Sequence, residues 1–140
     1  MRFSLAVLLV CIASAVAFAA ATVDIGTLDA RSDGDNIAVE WRADVELGVE
    51  RYDVQRSVQN TRNFKTIGEV DARGAGSYYR FIDENAFLKG EQDHIAGTMY
   101  FYRIKVVAQD GSTSYTSHTP VTHTVSSVRQ TWGMIKEMFR

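Results

Sequence analysis

Aromatic and β-branched residues alternate with other side chains between residues 97 and 107. An extended chain turns every second side chain to the same side, so Tyr100, Tyr102, Ile104 and Val106 share one face. The Asp110-Gly111 pair follows, and Asp-Gly is a strong signal for a tight turn between antiparallel strands. The segment therefore predicts a central strand of an antiparallel sheet.

Strand-like segments of this kind recur between residues 22 and 125, separated by polar or glycine-containing turns. Short strands at regular spacing are typical of two packed antiparallel sheets. We predict an all-β fold, a seven-stranded antiparallel immunoglobulin-like sandwich over residues 21–125. The predicted strands lie at residues 23–30, 37–42, 49–55, 64–70, 78–83, 97–107 and 114–125.

Alternation within these strands predicts which side chains are buried. In the third strand, Tyr52 and Val54 are expected inside, and Asp53 and Gln55 outside. The core is expected to hold the large residues of the other strands as well, which are Trp41, Phe64, Ile67, Phe81, Tyr102, Ile104 and Val106. Pro120 predicts an exposed edge or a bulge in the last strand.

The first 20 residues have the pattern of a secretory signal peptide. Arg2 supplies a positive start, an apolar stretch runs from Leu5 to Val16, and Ala17-Phe18-Ala19 fits a small-residue cleavage site. A retained membrane anchor is the alternative. We predict an exported protein that resides outside the cell, on its surface or in a periplasm. Its one cysteine, Cys11, would leave with the signal peptide.

Charges of both signs are scattered along the chain, with 15 basic and 17 acidic residues and a net charge of −2. A nucleic-acid-binding protein would concentrate basic residues on one surface. The sequence therefore predicts no nucleic-acid partner.

Several of these segments together resemble a fibronectin type III domain, and more narrowly the version found in bacterial secreted and surface proteins. The resemblance rests on Trp41, Val49–Val54, Phe64–Val70, Tyr100–Lys105 and Asp110-Gly111-Ser112. It implies a β-sandwich that serves as a spacer, an adhesion module or a part of an assembly. A fold of this kind does not by itself specify a function.

Residues suited to catalysis are few. Asp93 and His94 could act as an orienting acid and a base, although loop histidines beside acids are mostly solvated polar residues. His118 and His123, near the last strand, are expected at the surface. We predict that the protein is not an enzyme and needs no cofactor.

The turn that contains Asp33, Asp35 and Asn36 offers oxygen ligands that could hold Ca²⁺. It lacks the regular ligand spacing and the terminal glutamate of a helix-loop-helix calcium site. A hairpin turn is the better interpretation, and we predict no metal site.

The outward face of the sixth predicted strand is one candidate binding surface. Met99, Phe101 and Val107 lie there together with the basic residues Arg103 and Lys105. An apolar patch of this kind indicates an interface, unless neighbouring strands and the long basic side chains cover it.

The tail, residues 126–140, is the second candidate. Val128, Trp132, Ile135 and Phe139 recur at spacings of four, three and four, which forms one stripe of a helix, and Met138 adjoins it. We predict a short amphipathic helix and assign these five residues to partner binding. An isolated helix of about a dozen residues is marginal in water, so the stripe needs a surface to cover it.

Two surfaces are equally suitable for the tail: its own sandwich and a protein partner. Weak contact with a membrane is a third possibility. We predict a non-catalytic structural or interaction module that docks through its C-terminal helix to a cell-surface or extracellular assembly. The alternatives are a subunit of an extracellular polymer and a module that binds glycans or other ligands, in which case Tyr78, Tyr79 or Tyr115 would stack on sugar rings.

Overall fold

The structure is a computed structural model that describes residues 20–33, 36–86, 98–122 and 135–139. Its described residues form eight strands, and antiparallel pairing joins all of them. In chain order they are β1 (Thr22–Asp33), β2 (Asn36–Leu47), β3 (Val49–Val58), β4 (Lys65–Asp71), β5 (Ser77–Asp83), β6 (Met99–Ala108), β7 (Thr113–Tyr115) and β8 (Thr119–Thr122).

The strands build two sheets that pack face to face around a shared core. One sheet has the order β1-β2-β5, and the other has the order β4-β3-β6, with β7 and β8 both paired to the free side of β6. Immunoglobulin-like sandwiches likewise place the first, second and fifth strands in one sheet and the third and sixth in the other. The predicted all-β antiparallel sandwich is confirmed.

The predicted seventh strand differs in detail, because it is broken into β7 and β8. Between them, the Thr116 hydroxyl accepts a 3.0 Å hydrogen bond from the Ile104 N–H, in place of a backbone carbonyl. The Thr116 N–H still donates to the Ile104 carbonyl at 2.9 Å. The ladder along β6 is therefore interrupted at Thr116 and resumes at Thr119.

Three aromatic side chains fill one part of the core, and all three are fully buried. Trp41 stacks on Tyr79 with ring centroids 5.1 Å apart, and Tyr52 meets both rings edge-on at 5.8 and 5.0 Å. Because Trp41 and Tyr79 come from one sheet and Tyr52 from the other, this cluster ties the two sheets together. Offset-stacked and edge-to-face arrangements are the favourable geometries for such pairs.

Several predictions of which side chains are buried are wrong, because long side chains cover the outer faces of the two sheets. Asp53 and Gln55 point outward as predicted, yet both are buried under neighbouring long side chains. Glu40 on β2 is covered in the same way by Arg31 and Arg80. Phe64 is not a core residue, because its ring lies against Arg103 on the outer face.

Buried carboxylates lie near the two ends of the core. Near one end, the Glu46 carboxylate accepts hydrogen bonds from the Tyr52 and Tyr79 hydroxyls at 2.6 and 2.7 Å. Near the other, Asp83 accepts from the Tyr102 hydroxyl at 2.8 Å and from Arg56 at 2.7 Å. Both carboxylates are thus buried with partners, which avoids the cost of an unpaired internal charge.

The described end of the tail, residues 135–138, forms a single helical turn. Val128 and Trp132 of the predicted helix lie outside the described residues. Within the parts of the chain that the structure describes, there is no apolar helix long enough to cross a bilayer.

Candidate functional site

The outer face of the five-stranded sheet carries several aromatic and charged side chains that are not in the core. Strand register places Phe101 opposite Ser57, Arg103 opposite Gln55, and Lys105 opposite Asp53. Tyr115 of β7 lies opposite Lys105 on the other side of β6. We call this surface the outer face.

Arg103 occupies the middle of the outer face. Its guanidinium carbon lies 4.2 Å from the ring centroid of Phe64 and 4.2 Å from that of Tyr115. Its Nε donates a 2.8 Å hydrogen bond to the side-chain oxygen of Gln55, and Gln55 donates onward to the Thr66 hydroxyl at 3.2 Å. These contacts hold the cation in place and link β6, β3 and β4.

A second set of charges lies further along the same face. Arg51 donates to Asp53 at 2.9 Å, and Lys105 lies 3.8 Å from the other oxygen of that carboxylate. Glu69 of β4 approaches Arg51 at 3.8 Å. The hydrogen bond to Asp53 is the largest influence on the pKa of Arg51 and raises it. This end of the outer face is therefore internally neutralised.

The predicted surface of Met99 and Phe101 is only partly open. Met99 is 42% exposed, whereas Phe101 is half-buried and Val107 is buried. The cover comes in part from His118, whose ring meets Phe101 edge-on at 5.6 Å and lies 6.4 Å from Phe64. His118 is at the surface as predicted, but sequence alternation gave no signal for these ring contacts, because His118 lies in the break between β7 and β8.

The terminal turn presents the most exposed apolar side chains among the described residues. Met138 is 80% exposed and Phe139 is 86% exposed, and Ile135 is partly exposed. These are three of the five tail residues predicted to bind a partner. The described part of the sandwich does not cover Met138 and Phe139.

The buried carboxylates are the natural candidates for acid-base chemistry. Burial pushes the pKa of Glu46 up, but hydrogen bonds from Tyr52, Tyr79 and the Gly74 and Arg73 backbone lower it overall. Burial, reinforced by Glu46, raises the pKa of Tyr52. Glu46 is thus held as a carboxylate and Tyr52 as a neutral phenol, so the proton stays on the tyrosine. This hydrogen bond stabilises the fold.

The remaining sequence candidates are spread over the molecule. Tyr78 and Tyr115 are both more than half exposed, while Tyr79 is fully buried, which makes the prediction of an exposed Tyr79 wrong. The hydroxyl of Tyr78 bonds to Glu40, which is the largest influence lowering the pKa of that carboxyl. Asp93, His94 and His123 lie outside the described residues.

The turn between β1 and β2 was the candidate calcium site. Asp33 and Asn36 pair across the two strands, as expected for a hairpin, and Asp35 lies outside the described residues. The described ranges contain no group of three or more His, Cys, Asp or Glu side chains that could hold a metal ion.

Comparison with solved structures gives a likeness in fold. No family model matches the sequence, and no curated protein matches it. The chain is similar in structure to pectate lyase PelI from Erwinia chrysanthemi, solved in complex with tetragalacturonic acid, with a TM-score of 0.50 and 22% identity. The likeness covers 67% of this chain and 27% of the lyase. At this identity it bears on the fold alone.

Proposed function

We propose that the protein is an exported, non-catalytic interaction module that docks onto a protein partner through its terminal turn. The exposure of Met138 and Phe139 carries the proposal. Large apolar side chains left in water are unfavourable, and aromatic anchors of this kind contribute most of the energy of protein interfaces. The resemblance to bacterial fibronectin type III domains and the signal-peptide pattern support a role in a cell-surface or extracellular assembly.

The exposure of the terminal turn favours a partner over self-packing. A turn that packed on its own sandwich would bury Phe139, whereas this side chain is 86% exposed. Partly exposed Met99 on the outer face offers a second, smaller apolar contact. Weak membrane contact is a poorer fit, because one short helix anchors weakly to a bilayer.

Polymerisation through strand edges has less support. The pairing of β1 is irregular around Ile25, and the pairing of β4 with β3 shifts beside Val54. The edge strand β8 contains Pro120, which cannot donate a ladder hydrogen bond. Bulges and proline are the features by which natural sheets block edge-to-edge association.

The docking proposal is tested with Met138→Gln/Phe139→Gln in the full chain. We expect the free energy of unfolding to stay within about 0.5 kcal/mol of the wild type, because exposed surface substitutions have little effect. We expect the wild-type protein to sediment in a high-mass complex in extracts of producing cells, and the variant to sediment alone. Lys136→Gln, on the same turn, serves as the control and should remain in the complex.

Two results would contradict docking. One is a double variant that sediments with the complex as the wild type does. The other is a loss of stability of about 2 kcal/mol or more, which is the size expected for uncovering a packed apolar side chain. The second result would instead place the turn on its own sandwich.

A further inference from the structure

A groove of about 760 Å³ lies beside the connection between β3 and β4. This volume falls in the range of small-ligand sites, about 300–1,000 Å³. We call it the loop groove. Among the described residues, its lining contains three basic side chains, Arg56, Arg62 and Lys65, and no acidic one. Asn60, Asn63 and Phe64 also line it.

Two of the three basic side chains have no counter-charge among the residues that the structure describes. Arg56 is neutralised by the buried Asp83 at 2.7 Å. Arg62 and Lys65 form no ion pair with any residue of the described ranges. The loop groove is therefore a cationic site, and its ligand is expected to carry negative charge.

The loop that shapes the groove is held rigidly. The Asn60 side-chain oxygen accepts hydrogen bonds from the Ser57 hydroxyl and from the Arg62 and Asn63 backbone N–H groups, at 3.2, 2.9 and 3.1 Å. Its amide donates to the Val58 carbonyl at 3.1 Å. Gln59 adopts a left-handed backbone with φ of 58°. A preformed loop loses less conformational freedom on binding.

The charged, polar and aromatic groups that line the groove indicate which class of anion fits it. The backbone N–H groups of Arg62 and Asn63 are already used by Asn60, so they are not free to pair with an extended peptide. What remains is the Arg62 guanidinium, whose geometry suits carboxylates, together with the Lys65 ammonium, the Asn63 side-chain amide and the side of the Phe64 ring that Arg103 does not cover. These groups match the carboxylates, hydroxyls and apolar ring faces of an acidic sugar.

We propose that the loop groove binds a uronic-acid-bearing oligosaccharide. Arg62 and Lys65 bind the carboxylates, Asn63 bonds to hydroxyls, and Phe64 packs against a sugar ring. The loop groove is separate from the terminal turn, so a test of binding in the groove is independent of the docking proposal.

The proposal is tested by titrating the full chain, labelled with ¹⁵N, with a tetrasaccharide of β-1,4-linked glucuronic acid. We expect chemical-shift changes confined to residues 56–67 and 103, and affinity that falls as salt rises. Cellotetraose has the same backbone without carboxylates and should cause no change. Arg62→Ala/Lys65→Ala should bind at least about tenfold more weakly, because two charge-assisted contacts are lost.

The control variant Arg42→Ala/Lys136→Ala removes the same charge elsewhere and should bind as the wild type does. The proposal is overturned if the uronate tetrasaccharide causes no shifts, if cellotetraose causes equal ones, or if both double variants weaken binding equally. It is also overturned if sodium acetate at matched carboxylate concentration reproduces the shifts, because the groove would then hold only simple anions.

Discussion

Arg56 of β3 and Asp83 of β5 form an ion pair of 2.7 Å that joins the two sheets inside the sandwich. Asp83 is almost completely buried, and it also accepts the Tyr102 hydroxyl at 2.8 Å. Burial and the Asp83 charge both raise the pKa of Tyr102, so the phenol stays neutral and acts as a donor. The pair is one polar connection between the layers, and the hydrogen bond from the Tyr52 hydroxyl to Glu46 is another.

Removing the carboxylate should be strongly destabilising. Asp83→Ala leaves the Arg56 charge and the Tyr102 hydroxyl without their shared partner, and we expect a loss of about 3–5 kcal/mol in the free energy of unfolding. Urea denaturation measures it. Asp44→Ala removes the exposed partner of Arg42 and should cost less than about 1 kcal/mol. Equal effects of the two substitutions would contradict the account.

Acid should weaken the fold through Glu46. Hydrogen bonds lower its pKa in the folded state below the ordinary value of 4.5. A lowered folded pKa contributes stability that is fully present above pH 4.5 and is lost as the pH falls through the folded value. Glu46→Gln should flatten this part of the stability profile, measured by urea denaturation between about pH 3 and 6. If the free energy of unfolding of the variant falls with pH as steeply as that of the wild type, the acid sensitivity comes from other groups.

Gly68 of β4 should not tolerate a side chain. A Cβ at this position would overlap the Phe81 ring of β5. We expect Gly68→Ala to lower the unfolding free energy by about 1–3 kcal/mol, the usual cost of overpacking. In a Phe81→Leu background the same change should cost less, which a double-mutant cycle measures. A cost that does not depend on residue 81 would show that the ring is not the obstacle.

Replacing Gln59 by glycine should not lower the stability of the protein. Its left-handed backbone costs a residue with a side chain about 1–2 kcal/mol, and glycine avoids most of this cost. We expect Gln59→Gly to leave stability unchanged or raise it by up to about 1 kcal/mol, as measured by thermal unfolding. Gln59→Val, with a branched side chain, should be destabilising. If the valine variant were as stable as the glycine variant, the left-handed backbone at this position would carry no strain.

The sequence predicted buried side chains correctly where large apolar residues alternate regularly with other residues along a strand. Tyr102, Ile104 and Val106 are buried as predicted, and Tyr100, which was predicted to share their face, is buried with them. The placement of Tyr79 failed, since in the pair Tyr78-Tyr79 a shift of one residue exchanges the two faces. Register with Trp41 decides between them, and register is a property of the assembled sheet.

The candidate surfaces were predictable only in part. The apolar spacing of the tail singled out Ile135 and Phe139, which are exposed, and their partner binding stays a prediction. The cover over Asp53 and Gln55 was not predictable, because it comes from long side chains on neighbouring strands rather than from the local sequence. The same holds for the loop groove, whose form depends on the hydrogen bonds of Asn60.

Site-specific photo-cross-linking from position 139 in producing cells tests the docking account most directly. A photoreactive phenylalanine analogue in place of Phe139 should give a discrete cross-linked product with another protein, and the same analogue at exposed Tyr115 should not. Cross-links that form only within the chain, between position 139 and its own sandwich, would contradict the account.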